Sequence, residues 1–419
     1  MKKILVLVIA LCLTLCLCGC EGLEKLEQIE LPPLPTQTPA PTVPPTPEAT
    51  AAPVESAEPV ISSPSCTIII NTIRTALEEF DPAEGKELIL SYSYETPVVF
   101  MEQRSQAAAR INGSIALLDE THYTGNDHGM GSGTGGFNMM LEMAQDNFAY
   151  VYNTGAQGVS LEYTASRTAE IARADDTVLS IVYRDFYFTG GESGVHYTRG
   201  YSFDTESGEK LSLEKLSQDS QGFRSFLLES MKAQAADTKL TEDALAALLR
   251  DGSWYLGQDA LYVFSDRQEL AEEELVFRIP YEQLEGQLID RLLPAKRSGE
   301  AVLSIRPLRE VENGSVEILD RIVADESGEE LCIEISGTAY DVRISSVNYT
   351  DRFYETERLW YASRMSDCAI QLLTVLPEGV PNRMVSYTDA QGVVHRLLIS
   401  QSGEDGSVQL VSDEIEALG

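Results

Sequence analysis

TVLSIVYRDFYFTGGESGVHYTRGYSFDTESGEKLSLEKL, residues 177–216, is the stretch on which the fold turns. Val178–Thr189 is dense in β-branched and aromatic residues and reads as a strand. Gly190-Gly191-Glu192-Ser193-Gly194 is a turn, and His196–Phe203 returns as a second strand. Asp204-Thr205-Glu206-Ser207-Gly208 is another turn: the aspartate bonds local amides and the glycines take positive φ at no steric cost. Leu213–Leu216 then opens a helical stretch. The stretch therefore combines a strand hairpin with helix.

Working outward, Ile68–Phe80 reads as a short helix and Glu87–Met101 as an alternating strand. Gln103–Leu118 places Ala107, Ile111, Ile115 and Leu118 on one helical stripe. A glycine-rich loop spans Gly125–Gly136, followed by strands at Ala149–Tyr152 and Leu161–Arg167. Past the hairpin, helices are expected at Phe223–Ala235 and Glu242–Leu249, and strands at Tyr262–Phe264 and Glu274–Pro280. From Ala301 short strands alternate with turns: 301–306, 316–323, 331–335, 340–347, 358–363, 369–375, 384–387, 393–399 and 408–411. That spacing suggests a small all-β, sandwich-like domain.

The 177–216 pattern resembles the extracellular domain of RsiV-type anti-sigma factors, a module also found beside a cell-wall polysaccharide deacetylase. Ser180, Phe186, Gly190, Gly191, Gly194, Phe203, Asp204, Gly208, Leu211 and Leu213 fall in the places of that pattern. Tyr262-Val263-Phe264 and Ile279-Pro280-Tyr281 through Leu284 match its closing strand. The resemblance covers roughly Leu88–Leu293. It implies an RsiV-like sheet-plus-helix domain that binds protein, with lysozyme as the ligand of the namesake. The family's Ala-His inside the glycine turn is replaced here by Glu192-Ser193, though His196 lies just beyond. The signalling role of the namesake needs a spanning helix and a cytoplasmic segment, so only the binding surface is expected to carry over.

The N-terminus reads as an export signal. Lys2 and Lys3 precede an apolar run, Ile4–Leu17, shorter than the roughly 20 residues a spanning helix needs. Leu17-Cys18-Gly19-Cys20 resembles a lipobox, which implies cleavage before Cys20 and acylation of its thiol; an uncleaved anchor is the alternative. Between Leu31 and Pro64 lie 11 of the 18 prolines, and no Lys or Arg occurs between Lys25 and Arg74. Such a stretch favours extended polyproline-like chain and reaches on the order of 100 Å. The expected organisation is therefore signal peptide 1–19, lipidated stalk 20–65, RsiV-like domain 66–298 and all-β domain 299–419.

The chain carries 31 basic against 66 acidic residues, net −35, and loses Lys2 and Lys3 with the leader. That balance argues against nucleic acid and against lying flat on an anionic membrane; it attracts cationic partners, but the solubility of a surface protein accounts for it first, and basic lysozyme enters only through the resemblance. After processing, Cys66, Cys332 and Cys368 remain. In an oxidising compartment Cys332 and Cys368 are the pair a disulfide would join, with free thiols the even alternative.

Several weaker signals point to structure rather than chemistry. Gly131–Gly136 lacks the lysine of a phosphate loop. His122, Asp127 and His128 have loose metal-ligand spacing, His395 stands alone, and Asp175-Asp176 lacks the histidines of a deacetylase. Trp254, Tyr255 and Trp360 could stack on a sugar but suit a core. No cofactor or metal is expected. The reading that results is a non-enzymatic, lipid-anchored, extracytoplasmic protein presenting an RsiV-like binding domain to a lysozyme-like or peptidoglycan ligand. The alternative is a cell-wall hydrolase or deacetylase accessory using acidic residues among the 66.

Overall fold

The computed structural model describes residues 66–80, 87–124, 136–156, 162–190, 194–235, 240–266, 270, 274–312, 314–349, 354–402 and 406–412. The leader, Cys20 and the proline-rich stretch lie outside them, as do Asp127, His128, Gly191 and the last seven residues. No helix among the described residues is long and apolar enough to cross a membrane.

The fold is α+β. Its first strand, β1 (Ile69–Phe80), occupies the segment that the sequence suggested as a helix. The β-branched run Ile68-Ile69-Ile70-Asn71-Thr72-Ile73 is stiff at χ1 and suits a pleated surface. It pairs antiparallel along its whole length with β2 (Leu88–Phe100). Two helices follow, α1 (Ser105–Thr124) and α2 (Phe137–Thr154). The chain then returns as β3 (Tyr163–Ala174), parallel to β2, a pairing that requires such a crossover. The hairpin β4 (Val178–Phe188) and β5 (Val195–Asp204) extends the sheet antiparallel, as its turn residues foretold.

Helix α2 absorbs Ala149–Tyr152, expected as a strand. Phe137, Met140, Ala144 and Phe148 recur at helical spacing and are buried against Ile89, Tyr92, Tyr163 and Tyr187. Gly155 ends the helix in the left-handed region at φ 65°, its amide donating to the Val151 carbonyl. Helix α1 behaves as its stripe predicts: Ala107, Ile111 and Ile115 are buried with Ile70, Val99, Ile181 and Phe203.

A second, three-stranded sheet consists of β6 (Trp254–Leu256), β7 (Ala260–Phe264) and β8 (Val276–Pro280). Helices α3 (Ser220–Gln234), α4 (Glu242–Leu248) and α5 (Tyr281–Leu284) share its core through Phe223, Leu227, Met231, Leu245 and Leu284. Asp219 and Thr241 cap α3 and α4 by accepting from the amides of Gly222 and Ala244.

Beyond residue 300 the described regular structure is strands and one short 3-10 turn: β9 (Ala301–Pro307), β10 (Glu317–Val323), β11 (Glu329–Tyr349), β12 (Tyr354–Thr374), β13 (Arg383–Thr388), β14 (Val394–Gln401) and β15 (Val408–Ser412). The sequence divided β11 and β12 into two short strands each. They are instead continuous 21-residue strands, bent at Gly337, Asp341 and Asp367, which take φ of 81°, 49° and 47°. The bend lets each half find its own neighbour. The first half of β11 pairs with β9 and the second with β13, while β12 pairs with β1 at one end and β10 at the other. One twelve-stranded sheet results, in order β15-β14-β13-β11-β12-β1-β2-β3-β4-β5, with β9 and β10 branching from the long hairpin. The core of this half is apolar: Ile333, Ile335, Ile344, Trp360, Ile370, Leu372 and Val385 are all within 1% of full burial.

Candidate functional site

The glycine-turn motif serves placement. Gly190 takes φ 82°. At Gly194 an added Cβ would run into the Phe186 ring, whose other neighbour is His196 at 4.9 Å between ring centres. Asp204 Oδ1 accepts from the amides of Glu206 and Ser207, both at 2.9 Å, and Oδ2 meets Arg291 at 2.5 Å. Burial pushes the Asp204 carboxyl up, but those amides and Arg291 outweigh it and hold it below the usual range. Gly208, at φ 75°, lies against the backbone of Ala107 on α1. Arg110 on α1 donates to the Ser207 carbonyl at 2.9 Å, and Arg104 donates to Thr205 at 3.1 Å. The second turn is thus a seat for α1.

The remaining sequence candidates scatter. Cys332 and Cys368 do not meet. They sit on the paired strands β11 and β12, with Cys332 opposite Gln371 and Cys368 opposite Ile335. Three positions of offset is roughly 10 Å along a strand and puts the two on opposite faces, beyond the reach of a disulfide. Cys66, Cys332 and Cys368 are all free, buried thiols, so the suggested bridge is not formed. Trp254 and Trp360 are core residues, 2% and 1% exposed. Asp175 is bound by Arg173 at 2.6 Å, and His395 contacts Asp389 at 2.9 Å while stacking on Tyr387.

His122 belongs to a buried polar seam between α1 and the sheet. Arg167 on β3 and Asp185 on β4 form a two-pronged pair, Nε to Oδ1 at 2.7 Å and Nη2 to Oδ2 at 3.0 Å. Arg167 also lies over the Tyr183 ring at 4.7 Å. His122 Nδ1 shares a hydrogen bond with Tyr187 Oη at 3.1 Å and stands 3.8 Å from Asp185. Asp119, one helical turn earlier, faces Arg167 Nη1 at 3.9 Å. Burial lowers the His122 pKa to about 4, with the charge of Arg167 adding to the effect. Burial raises Asp119 to about 6 against the pull of Thr96 and Arg167. The Asp185 carboxyl feels burial most, yet Arg167 overrides it and keeps it low. Tyr92 Oη, His122 Nε2, Arg167 Nη1 and Tyr183 Oη have no hydrogen-bond partner among the described residues. This seam was absent from the sequence reading, although a charged residue inside the apolar strand VLSIVYRDFYF demands a buried partner and is a legible warning.

The open site lies at the other end of α1. A cleft of about 970 Å³ runs between Ser105, Ala108, Ala109 and Asn112 of α1, the end of β2, the first residues of β1 and β10, and the middle of β12. Its α1 wall is fixed by Asn112, which accepts from the Val99 amide and donates to the Val99 carbonyl, both at 2.8 Å. Ile69, Val99, Met101 and Met365 give it an apolar lining, and Glu102, Gln103, Glu317 and Arg364 a polar one. Its volume falls within the range of ligand sites. Together the continuous sheet and this cleft define an α+β protein built around a surface groove.

No protein-family model matches the chain, and no curated protein matches it. Among the solved structures that resemble it in part are two of one family. One is a DUF3298 family protein from Pseudomonas aeruginosa PAO1, 18% identical, matching over 54% of this chain and 97% of its own with a TM-score of 0.36. The other is a DUF3298 family member from Bacteroides fragilis, 14% identical, matching over 52% and 93% with a TM-score of 0.39.

Proposed function

We propose that this chain is an exported, lipid-anchored surface protein of RsiV-like type that binds a protein or cell-wall ligand without transforming it. The cleft between α1 and β12 carries the reading, because it combines ligand-sized volume with an apolar floor and a polar rim. The leader, Cys20 in its lipobox setting and the proline-rich stretch support placement outside the cell on a stalk. The acidic excess supports a cationic ligand such as lysozyme.

Calorimetry on the mature chain, with lysozyme and with muropeptides at two salt concentrations, tests this directly. Binding that weakens with salt is expected for lysozyme. Turnover of muropeptides under the same conditions would replace the binder with a hydrolase or deacetylase accessory. Heat from neither ligand would remove both partners from the proposal.

A further inference from the structure

Between β2 and β3 the long sheet comes apart. The two strands pair only where Leu90–Tyr94 lies against Tyr163–Arg167. Farther along, the edge of β3 meets side chains. The Ala169 amide donates to Glu95 Oε2 at 2.8 Å, and Arg343 Nη2 donates to the Ile171 carbonyl at 3.3 Å. Arg343 belongs to β11, and the Tyr361 ring lies 5.8 Å from its guanidinium. A second arginine stands beside it. Arg343 is opposite Tyr361 on β12, and Ser345, two residues on, is opposite Arg358. Strand alternation puts Arg343 and Ser345 on one face, with Arg358 as the diagonal neighbour of Arg343. Arg358 Nε and Nη2 donate to Thr72 Oγ1 on β1, at 3.1 and 2.9 Å.

Among the described residues both arginines thus reach only uncharged acceptors. The carboxylates around them are engaged elsewhere: Glu95 and Glu357 hold Arg74 at 2.7 and 2.6 Å, and Glu170 faces Arg184 at 3.6 Å. This departs from the rest of the molecule, where Arg167, Arg173, Arg199, Arg297 and Arg383 each hold an aspartate. Burial lowers the Arg358 pKa to about 10, and the charge of Arg343 adds to the fall. A guanidinium drawn out of water without an anion is costly, and two side by side are costlier. Both are only half-buried, so a small ion can reach them. Thr72 Oγ1 accepts from Arg358 and keeps its own proton to donate. Two forks and a hydroxyl suit several acceptor oxygens bearing about two charges, which phosphate carries and a carboxylate does not.

We propose that Arg343, Arg358 and Thr72 form a site for a phosphate dianion, free or carried as a monoester on a larger molecule. The site is apart from the cleft, whose lining includes none of the three, and does not depend on it. The net −35 of the chain repels any anion on approach, which holds the affinity in the millimolar range.

The probe is inorganic phosphate, followed by phosphorus magnetic resonance as the mature full-length chain is added at fixed ionic strength and slightly alkaline pH. Saturable line broadening is expected, reversed by sulfate. Arg343→Gln and Arg358→Gln should each weaken binding about tenfold. Arg343→Gln gives up a single 3.3 Å bond, so its fold should survive, and a melting curve checks that it has. Arg343→Lys keeps the charge without the fork and should recover part of the binding. Arg110→Gln, at an exposed arginine bonded to the Ser207 carbonyl, should leave binding unchanged. Phenyl phosphate in place of the free ion separates the sources: tighter binding assigns the site to a phosphate monoester, weaker binding to phosphate itself, and either supports the site. Absence of saturable broadening, or equal weakening by Arg110→Gln and Arg343→Gln, overturns the proposal. Reversal by acetate as effective as by sulfate overturns the choice of a dianion.

Discussion

Both halves of the long sheet pack apolar side chains, and the helix-covered half adds a buried ionic seam. Strands β9–β15 surround an apolar centre in which Trp360 is 1% exposed and its indole N–H has a single polar contact, to Asp320 at 2.7 Å. Under α1, beside the apolar cluster of Ile111, Ile115, Ile181 and Phe203, the sheet also buries an arginine, two aspartates, a histidine and three tyrosines. Apolar packing gains from every atom it removes from water and is indifferent to pH. A buried polar seam gains only where each group finds a partner, and its stability follows protonation. The strand half is therefore expected to set how stable the molecule is, and the helix-covered half to set how that stability responds to conditions.

Trp360→Ala should give the largest effect, a loss of about 4 kcal/mol in urea unfolding, because it opens a cavity at the point where β12 meets both β11 and β1. The loss should be the same at pH 5 and pH 7. A strong pH dependence would erase the contrast between the halves.

The seam predicts the opposite behaviour. His122 has a folded pKa of about 4 against an ordinary 6.5, so between those values the unfolded chain binds more protons and stability rises with pH. Asp119 has a folded pKa of about 6 against 3.8, so the folded chain binds more protons and stability falls with pH. The two slopes nearly cancel in the native protein. Asp119→Asn removes the falling slope and should expose the rising one, a loss of about 3 kcal/mol on acidifying from near pH 6.5 to near pH 4. Unfolding curves at several pH values would show it, and parallel profiles for variant and parent would refute it.

Gly208→Ala sharpens the comparison at a smaller scale. It combines a left-handed backbone with a Cβ driven into Ala107 on α1, and should cost about 2 kcal/mol. If the turn merely closes the hairpin, exchange of α1 amides will be unchanged. If it seats α1, their protection should drop with it.

Much of this architecture could be read from local signals. Glycine and aspartate at the two turns announced β4 and β5, and the Ala107–Ile111–Ile115 stripe announced α1, because turn chemistry and helical period act within a few residues. The misreadings have physical causes too. β1 and α2 were exchanged in kind: Ile-rich β1 has one buried face only near its start, and α2 ends in Tyr-Val-Tyr, a β-like composition kept helical by packing upstream. β11 and β12 were divided at Gly337 and near Asp367, where a bend in a strand and the end of one have the same composition. The seam and the cleft depend on partners tens to hundreds of residues apart. Arg167 meets Asp185 only because β3 and β4 pair in one register, and Glu317 lines the same cleft as Glu102 only because β1 pairs with both β2 and β12. No local window contains that information.

The first described strand is also the strand that joins the halves, and this has a mechanical consequence. A pull applied at residue 66 runs along the axis of β1, which is held between β2 and β12. The ladder bonds on both sides would then resist together, in shear, instead of parting one after another. Tension arriving at residue 66 would enter the folded part at a strand that both halves hold.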